Sequence, residues 1–150
     1  MAYYKSEKEA AYFALRELEK HLPATPDNEG VEWGTIIFRY DDAVGGGYWY
    51  SFQNPSKGHK REWEPTEPAP NGSVEHAFCH THPNNAGFSD VDVNTALGKT
   101  FPFPRCTMYM VTQSGAYWYD GTFEDKMFGR NSHVRYGTMW GQPYAALVKK

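Results

Sequence analysis

A glycine-rich turn between two strand-like segments is the feature that most constrains how this chain folds. Residues 31–42 read VEWGTIIFRYDD, a run rich in β-branched and aromatic side chains, and AVGGG separates it from YWYSF at residues 48–52. Runs of this composition favour β-strands, and glycine clusters between them favour turns. The sequence therefore predicts two consecutive strands and, with them, the beginning of a sheet.

Residues 6–22, SEKEAAYFALRELEKHL, predict an amphipathic helix. Apolar side chains recur there at steps of three and four residues, which places them on one face of a helix. Ser6 and Glu9 fit a capping box at its start, and Pro23 and Pro26 prevent the helix from continuing. The predicted core face consists of Ala10, Phe13, Ala14, Leu18 and Leu22.

Three later segments add further strands and a second helix. VEHAFCHTH at residues 74–82 predicts a third strand, which Pro83 and the following NNAG end. A short helix is expected over residues 90–97, with Ser89 as its N-cap. CTMYMVTQSGAYWYDG at residues 106–121 predicts a hairpin that turns at QSG, whereas the C-terminal stretch carries no clear pattern. Together these elements predict an α/β fold, a mixed and curved sheet flanked by helices.

A shift in composition marks residues 55–72, PSKGHKREWEPTEPAPNG, which are rich in proline and charge. We expect a long exposed loop here rather than a linker, because too little chain lies on either side to build two cores. Residues 1–150 are accordingly predicted to form a single domain.

Composition also argues against several functional classes. The net charge of −3 and the pI near 6.0 give no electrostatic reason to bind nucleic acid or a membrane surface. No segment is apolar enough to span a bilayer, and the N-terminus lacks the apolar region of a signal peptide. Cys79 and Cys106 make no disulfide framework. We expect synthesis in the cytoplasm, and export by a specialised secretion system without a cleaved signal is left open.

The segment FCHTHPNNAGFSDVD, residues 78–92, concentrates side chains that bind metals. Side chains alternate along a strand, so His80 and His82 should point to one face, and the reversal through PNNAGF should return Ser89 and Asp92 towards them. Two histidines and one carboxylate leave a fourth tetrahedral position for water, as in catalytic zinc sites, although iron, nickel and cobalt remain open. The plainer interpretation is a strand, a turn and a helix with Ser89 as its cap.

HTHP followed by FSDVD and VNT resembles the signature of the JAMM (or MPN) metalloproteases, which is His-X-His-Pro, a short spacer and Ser-X-X-Asp. That family also needs a glutamate on an early strand, near a glycine and an apolar run. VEWGTIIF supplies Glu32 for this position, and Glu29, which precedes the strand, is the weaker alternative. The layout of residues 6–121 is similar to a bacterial JAB-like branch whose members occur in polymorphic toxins and secretion-system effectors.

The resemblance implies a JAMM/MPN-like (cytidine-deaminase-like) core in which His80, His82 and Asp92 bind Zn²⁺. Glu32 would then act as the general base, and Ser89 would donate a hydrogen bond to the oxyanion of the tetrahedral intermediate. The implied reaction is hydrolysis of an amide or isopeptide bond in a protein or peptide substrate. For a toxin domain, an immunity protein would be a further partner.

Two other functions compete with this hypothesis: a catalytically inactive MPN-like scaffold that binds a protein partner, and a metal-dependent hydrolase of small-molecule or peptidoglycan amides. Inactive scaffolds usually lose ligands, whereas this sequence retains the full set. His76 is expected on the same strand face as His80 but about 13 Å away, which favours a structural or supporting role. The loop at 55–72 either covers the cleft or is a solvated insertion.

Overall fold

The fold is described here by a computed structural model, which covers residues 2–60, 62–65, 69–99, 104–122 and 136–148. Within these ranges the chain forms one curled, mixed sheet of seven strands flanked by helices, so the predicted α/β class is confirmed. In chain order the elements are α1 (Glu7–Glu19), β1 (Val31–Asp41), β2 (Tyr48–Phe52), β3 (Ser56–Lys60), β4 (Ser73–Thr81), α2 (Asp90–Ala96), β5 (Thr107–Val111), β6 (Gly115–Asp120), β7 (Tyr136–Gly141) and α3 (Tyr144–Val148). Among the helices that the structure describes, none has the length and apolar character that a bilayer crossing requires.

The strands of the sheet lie in the order β2-β1-β4-β5-β6-β7, and β3 also pairs with β1, next to β2. Strands β4 and β5 are parallel, and the other pairs are antiparallel. A parallel pair needs a crossover connection, and α2 lies in the one that joins β4 to β5. The C-terminal end of β4 therefore lies close to the N-terminal end of α2.

The alternation of side chains along β1 and β4 divides the core into two layers. Ile37 and Cys79 pack on the side of α1, together with alanines and leucines of that helix. Ile36 and Phe78, their neighbours in sequence, pack on the opposite side with Ala96 of α2. Helices α1 and α2 thus cover opposite faces of the sheet, as the alternation of side chains along a strand requires.

Helix α1 differs from its prediction in length and in its buried face. Ser6 is the N-cap and accepts a hydrogen bond from the backbone of the third helical residue, but the helix ends at Glu19, before the predicted Leu22. Phe13 was wrongly placed in the core: it is 43% exposed and stacks on Tyr4, with 5.0 Å between the ring centroids. Small alanine side chains let the helix lie close to the sheet, and the fully buried residues are Ala10, Ala11, Ala14, Leu15 and Leu18.

Two other predictions need correction, and the C-terminal stretch contains elements that were not predicted. The segment 55–72 is not wholly a loop, because β3 forms within it and pairs with the first half of β1. The hairpin turns at residues 112–114, one residue earlier than QSG, because β6 already begins at Gly115. Strand β7 and helix α3 arise in the C-terminal stretch that carried no clear pattern. Parts of these regions, residues 61, 66–68 and 123–135, lie outside the described residues.

Candidate metal centre

Four side chains that the sequence singled out converge on the α2 side of the sheet. Glu32 comes from β1, His80 from the end of β4, His82 from just beyond it and Asp92 from the first turn of α2, and all four are buried. The two imidazole Nε2 atoms are 2.9 Å apart. Asp92 reaches both of them, with Oδ1 at 3.1 Å from His80 Nε2 and Oδ2 at 3.1 Å from His82 Nε2. Glu32 Oε2 lies farther out, at 3.9 Å from His82 Nε2.

Backbone carbonyls determine which ring nitrogens face the centre. Nδ1 of His82 is 3.0 Å from the carbonyl oxygen of Ala86, so this nitrogen carries a proton and donates it. The backbone of Tyr109 is near the ring of His80 and contributes to its raised pKa, and His80 Nε2 faces the other imidazole. In the neutral His82 ring Nε2 is therefore a bare acceptor, and so is His80 Nε2 when the other nitrogen of that ring carries its proton. Two such atoms 2.9 Å apart repel each other unless a proton or a metal cation lies between them.

The spacing of these atoms fits a metal ion. Zinc–nitrogen bonds of about 2.0–2.1 Å place tetrahedral ligand atoms about 3.3–3.4 Å apart. The observed separations of 2.9 and 3.1 Å require outward movements of only a few tenths of an ångström. Glu32 with the two histidines also offers three ligand atoms within 4.8 Å of one another and could bind a metal ion. Of the two carboxylates, Asp92 is nearer to both imidazoles.

The charges of the centre favour a bound cation. Burial lowers the pKa of His80, but the charge and the hydrogen bond of Asp92 outweigh it and raise that pKa to about 9. Burial alone would raise the pKa of Asp92, yet the adjacent His80 and His82 hold it well below its usual range. Burial raises the pKa of Glu32, and the two imidazoles offset part of this rise. A buried carboxylate that remains ionised needs a positive partner, which a proton on His80 or a metal ion can supply.

The first turn of α2 orients the Asp92 carboxylate. Ser89 Oγ accepts a hydrogen bond from the Asp92 backbone N–H at 3.1 Å, and Asp92 Oδ2 accepts one from the Ser89 backbone N–H at 3.0 Å. The plainer interpretation of this segment as a helix cap is thus correct, and the same bonds hold the carboxylate towards the histidines. Just before the cap, the Phe88 N–H donates to the hydroxyl of Tyr144 at 3.0 Å, which ties it to α3.

The chain reversal between β4 and α2 is held by β5 and by the β5–β6 turn. The His82 N–H donates to the Val111 carbonyl at 3.0 Å, which continues the pairing of β4 with β5 by one residue. Asn85 adopts a φ of 57°, a left-handed conformation that asparagine tolerates, and its side-chain oxygen accepts from the Ser114 N–H at 3.2 Å. Gln113 donates its amide to the Pro83 carbonyl at 2.8 Å. Hydrogen bonds to other segments of the fold therefore hold the PNNAG reversal in place.

Two other predicted positions lie away from the centre. Glu29 is exposed and pairs with Lys60, so Glu32 rather than Glu29 accompanies the histidines. His76 was expected on the same strand face as His80, but the β1–β4 register shifts by one residue there, which makes His76 the extra residue of a bulge. Its Nε2 instead lies 2.9 Å from Glu7 Oε2 of α1, on the opposite face of the sheet.

The centre opens into a cavity of about 600 Å³. Ser89 is exposed and lines it, as do Glu62, Trp63 and Glu64 from the segment after β3. The Trp63 indole N–H donates to Ser56 Oγ at 3.0 Å, and its ring lies so close to Gly34 that any Cβ there would collide with it. Sequence reasoning missed Trp63, although a tryptophan within a charged, proline-rich segment is a signal of burial. This part of the 55–72 segment therefore forms a wall of the cleft.

The fold and the site together define an α/β protein with a buried histidine–carboxylate centre that could hold a metal ion. A scan of protein-family models, a search of curated proteins and a search of solved structures each found no match. The function must therefore be argued from the geometry of the centre and from the resemblance of its motif.

Proposed function

We propose that this protein is a zinc-dependent hydrolase of amide bonds, related to the JAMM metalloproteases, that acts on a peptide or isopeptide linkage. The observation that carries the proposal is the pair of Nε2 atoms 2.9 Å apart, each 3.1 Å from an oxygen of Asp92. Both rings can use their other nitrogen as a donor to the backbone, as metal-bound histidines usually do. The adjoining cavity gives a substrate access to the centre.

His80, His82 and Asp92 are the proposed zinc ligands. Three protein ligands at an open cavity are typical of catalytic zinc, whereas structural zinc is usually enclosed by four. When bound, zinc lowers the pKa of water from about 15.7 to about 7 and polarises a carbonyl oxygen. The protein holds the three ligand atoms in place. Alternation along the strand directs both histidines to one face, and the helix cap orients Asp92.

Glu32 is the proposed general base. Its Oε2 lies 3.9 Å from His82 Nε2, farther from the imidazoles than Asp92, which leaves room for a water molecule beside the centre. Burial raises its pKa, and a carboxylate with a raised pKa accepts a proton more readily near neutral pH. Glu32 would take a proton at Oε2 and return it to the nitrogen of the leaving amine.

Ser89 is the proposed donor to the developing oxyanion. Its Oγ accepts a hydrogen bond from the Asp92 N–H, which leaves the hydroxyl proton for a second partner. The side chain lines the cavity that contains the metal ligands, so this proton can be directed towards a substrate oxygen. Capping the helix and stabilising the oxyanion are compatible roles for the same hydroxyl.

The complete set of ligands, base and hydroxyl favours a hydrolase over an inactive scaffold. The association with bacterial toxins and effectors, export without a cleaved signal and an immunity partner all depend on the resemblance to the JAB-like branch. They are predictions about where such an enzyme would act and which protein would inhibit it.

Metal analysis of the purified protein tests the proposal. We expect about one zinc per chain, with zinc–nitrogen distances of about 2.0–2.1 Å by X-ray absorption spectroscopy. His80→Ala should lose the metal, whereas His76→Ala, a matched control on the same strand, should retain it. A wild-type protein that binds no zinc when the metal is supplied, or a His80→Ala variant that binds it fully, would contradict the proposal.

A further inference from the structure

We propose that the cavity continues past the metal centre as a pocket for a large apolar side chain of the substrate, next to the bond to be cleaved. The inference rests on the proposed function, because the metal centre defines where the amide bond would lie. It adds the substrate class: peptides or amides that carry an aromatic or large aliphatic group beside the scissile bond.

The register of the sheet places an apolar floor directly beside the ligands. His80 pairs with Gly34 on β1, and two residues back along β4 the next inward-facing residue is Phe78. Phe78 pairs with Ile36 on one side and with Met108 on the other. Two residues of a strand span about 6.6 Å, which is roughly the length of a phenylalanine side chain. Of this row, Phe78 and Met108 line the cavity, so a substrate held at the metal would have apolar surface within reach of its neighbouring side chain.

Trp63 and helix α2 provide the walls of this pocket. The Trp63 ring covers Gly34, the position beside His80, and its hydrogen bond to Ser56 holds the indole in place. From the other side α2 contributes Thr95 and Val91, and Val91 is 72% exposed, an apolar side chain left in water beside the cavity. A substrate side chain that entered would cover apolar surface on both walls.

The volume and the charges of the cavity narrow the choice of substrate. A cavity of about 600 Å³ is far larger than a water molecule and one amide group require, and is within the range of pockets that enclose a drug-sized ligand. Asp27, Glu62 and Glu64 also line it, so an acidic substrate side chain would meet carboxylates as well as hydrocarbon. A neutral apolar group can fill the volume of the cavity and is not repelled by these carboxylates.

Two hydroxamates that bind zinc through the same head group test the pocket without requiring turnover. The affinity of acetohydroxamate measures binding to the metal alone. 3-Phenylpropanohydroxamate has the same head group and adds a phenyl ring on a short spacer. By calorimetry on the zinc-loaded protein, we expect the phenyl compound to bind about tenfold to a hundredfold more tightly, the gain typical of burying one aromatic ring.

Two variants alter the pocket in opposite ways. Trp63→Ala removes a wall of the pocket, and Thr95→Phe fills its space. In each variant the affinity gained from the phenyl ring (the phenyl gain) should fall to about threefold or less, and acetohydroxamate should bind as in the wild-type protein. Trp49→Ala, which removes a half-buried tryptophan that does not line the cavity, is the matched control and should keep the full gain. Circular dichroism checks folding, and if one pocket variant does not fold, the other decides.

The outcomes separate this inference from the proposed function. If both hydroxamates bind the wild-type protein equally, or if the phenyl gain survives in the folded pocket variants, the pocket is overturned while the metal centre stands. If the protein takes up no zinc and binds neither compound, the metal centre fails and the pocket fails with it.

Discussion

Removal of the metal should make the stability of the protein fall between pH 7 and pH 9.5. Without zinc, a proton is needed between the two facing imidazoles. Burial opposes that proton, but the Asp92 carboxylate, 3.1 Å from His80 Nε2, more than compensates and raises the pKa of His80 to about 9. The proton would thus replace the metal at neutral pH and would be lost in mildly alkaline solution.

The magnitude follows from the pKa of His80. Its value in the folded protein, about 9, exceeds the ordinary value of 6.5, so the stabilisation is fully present below pH 6.5 and is lost as the pH rises through 9. This difference corresponds to about 3 kcal/mol of unfolding free energy. For a protein of about this size, such a loss lowers Tm by about 6–12 °C. Unperturbed histidines titrate near pH 6.5, below the window.

Urea unfolding of the metal-free protein, in the presence of a chelator, measures the effect at pH 7 and at pH 9.5. We expect the metal-free wild-type protein and His76→Gln, the matched control, to lose about 2 kcal/mol through His80 between these two pH values, because part of the stabilisation is already lost at pH 7. The buried thiols of Cys79 and Cys106 weaken every variant once thiols ionise in the unfolded chain. In His80→Gln, which has no proton to lose, and in the zinc-loaded protein, where the metal replaces the proton, only this thiol contribution should remain, so the loss should be about 2 kcal/mol smaller than in the metal-free wild-type protein. A flat metal-free profile, or an equal fall in His80→Gln, would refute the reasoning.

Three further predictions concern the base, the helix cap and the thiols. Glu32→Gln should retain the fold and the zinc but lose about 10²–10⁴-fold in turnover of a mixed peptide library followed by mass spectrometry; unchanged turnover would exclude it as the base. Ser89→Asp should stay folded, because aspartate also caps helices, but should be nearly inactive, and Ser89→Ala should lower kcat by about 10²–10³-fold; near-normal turnover in Ser89→Asp with unchanged zinc content would leave Ser89 as a cap alone. Burial raises the pKa of Cys106 to about 12 and that of Cys79 well above its usual range, so neither thiol should react rapidly with Ellman's reagent at pH 8 until urea unfolds the protein; rapid reaction of the folded protein would contradict the buried positions.

Local patterns were sufficient to predict most of the candidate metal centre. The pairing of His80 with His82 needs only the alternation of a strand, and the position of Asp92 needs only the geometry of a helix cap. Both depend on residues close together in sequence, so the prediction did not require the fold. The glutamate was harder to assign, because Glu29 and Glu32 are near neighbours. Only the register of β1 against β4 brings Glu32 beside the histidines.

Two of the predictions that failed depended on uninterrupted periodicity. An even alternation placed His76 with His80, but a one-residue bulge moves it to the face of α1. A helical period placed Phe13 in the core, whereas the contact between α1 and the sheet uses alanines and leucines. Bulges and packing angles depend on the partner strand or helix, and that information is not contained in one segment.

By itself, the sequence determined the α/β class, most of the strand and helix positions, and the set of side chains that can bind a metal, because each depends on periodicity, capping or spacing within a short segment. The tertiary structure alone decided that β3 forms and that Trp63 becomes a wall of the cavity. It also decided which glutamate joins the centre and that an apolar row lies beside the ligands. These are contacts between segments distant in the sequence, and their geometry follows from strand register and packing, which form only when the whole chain folds.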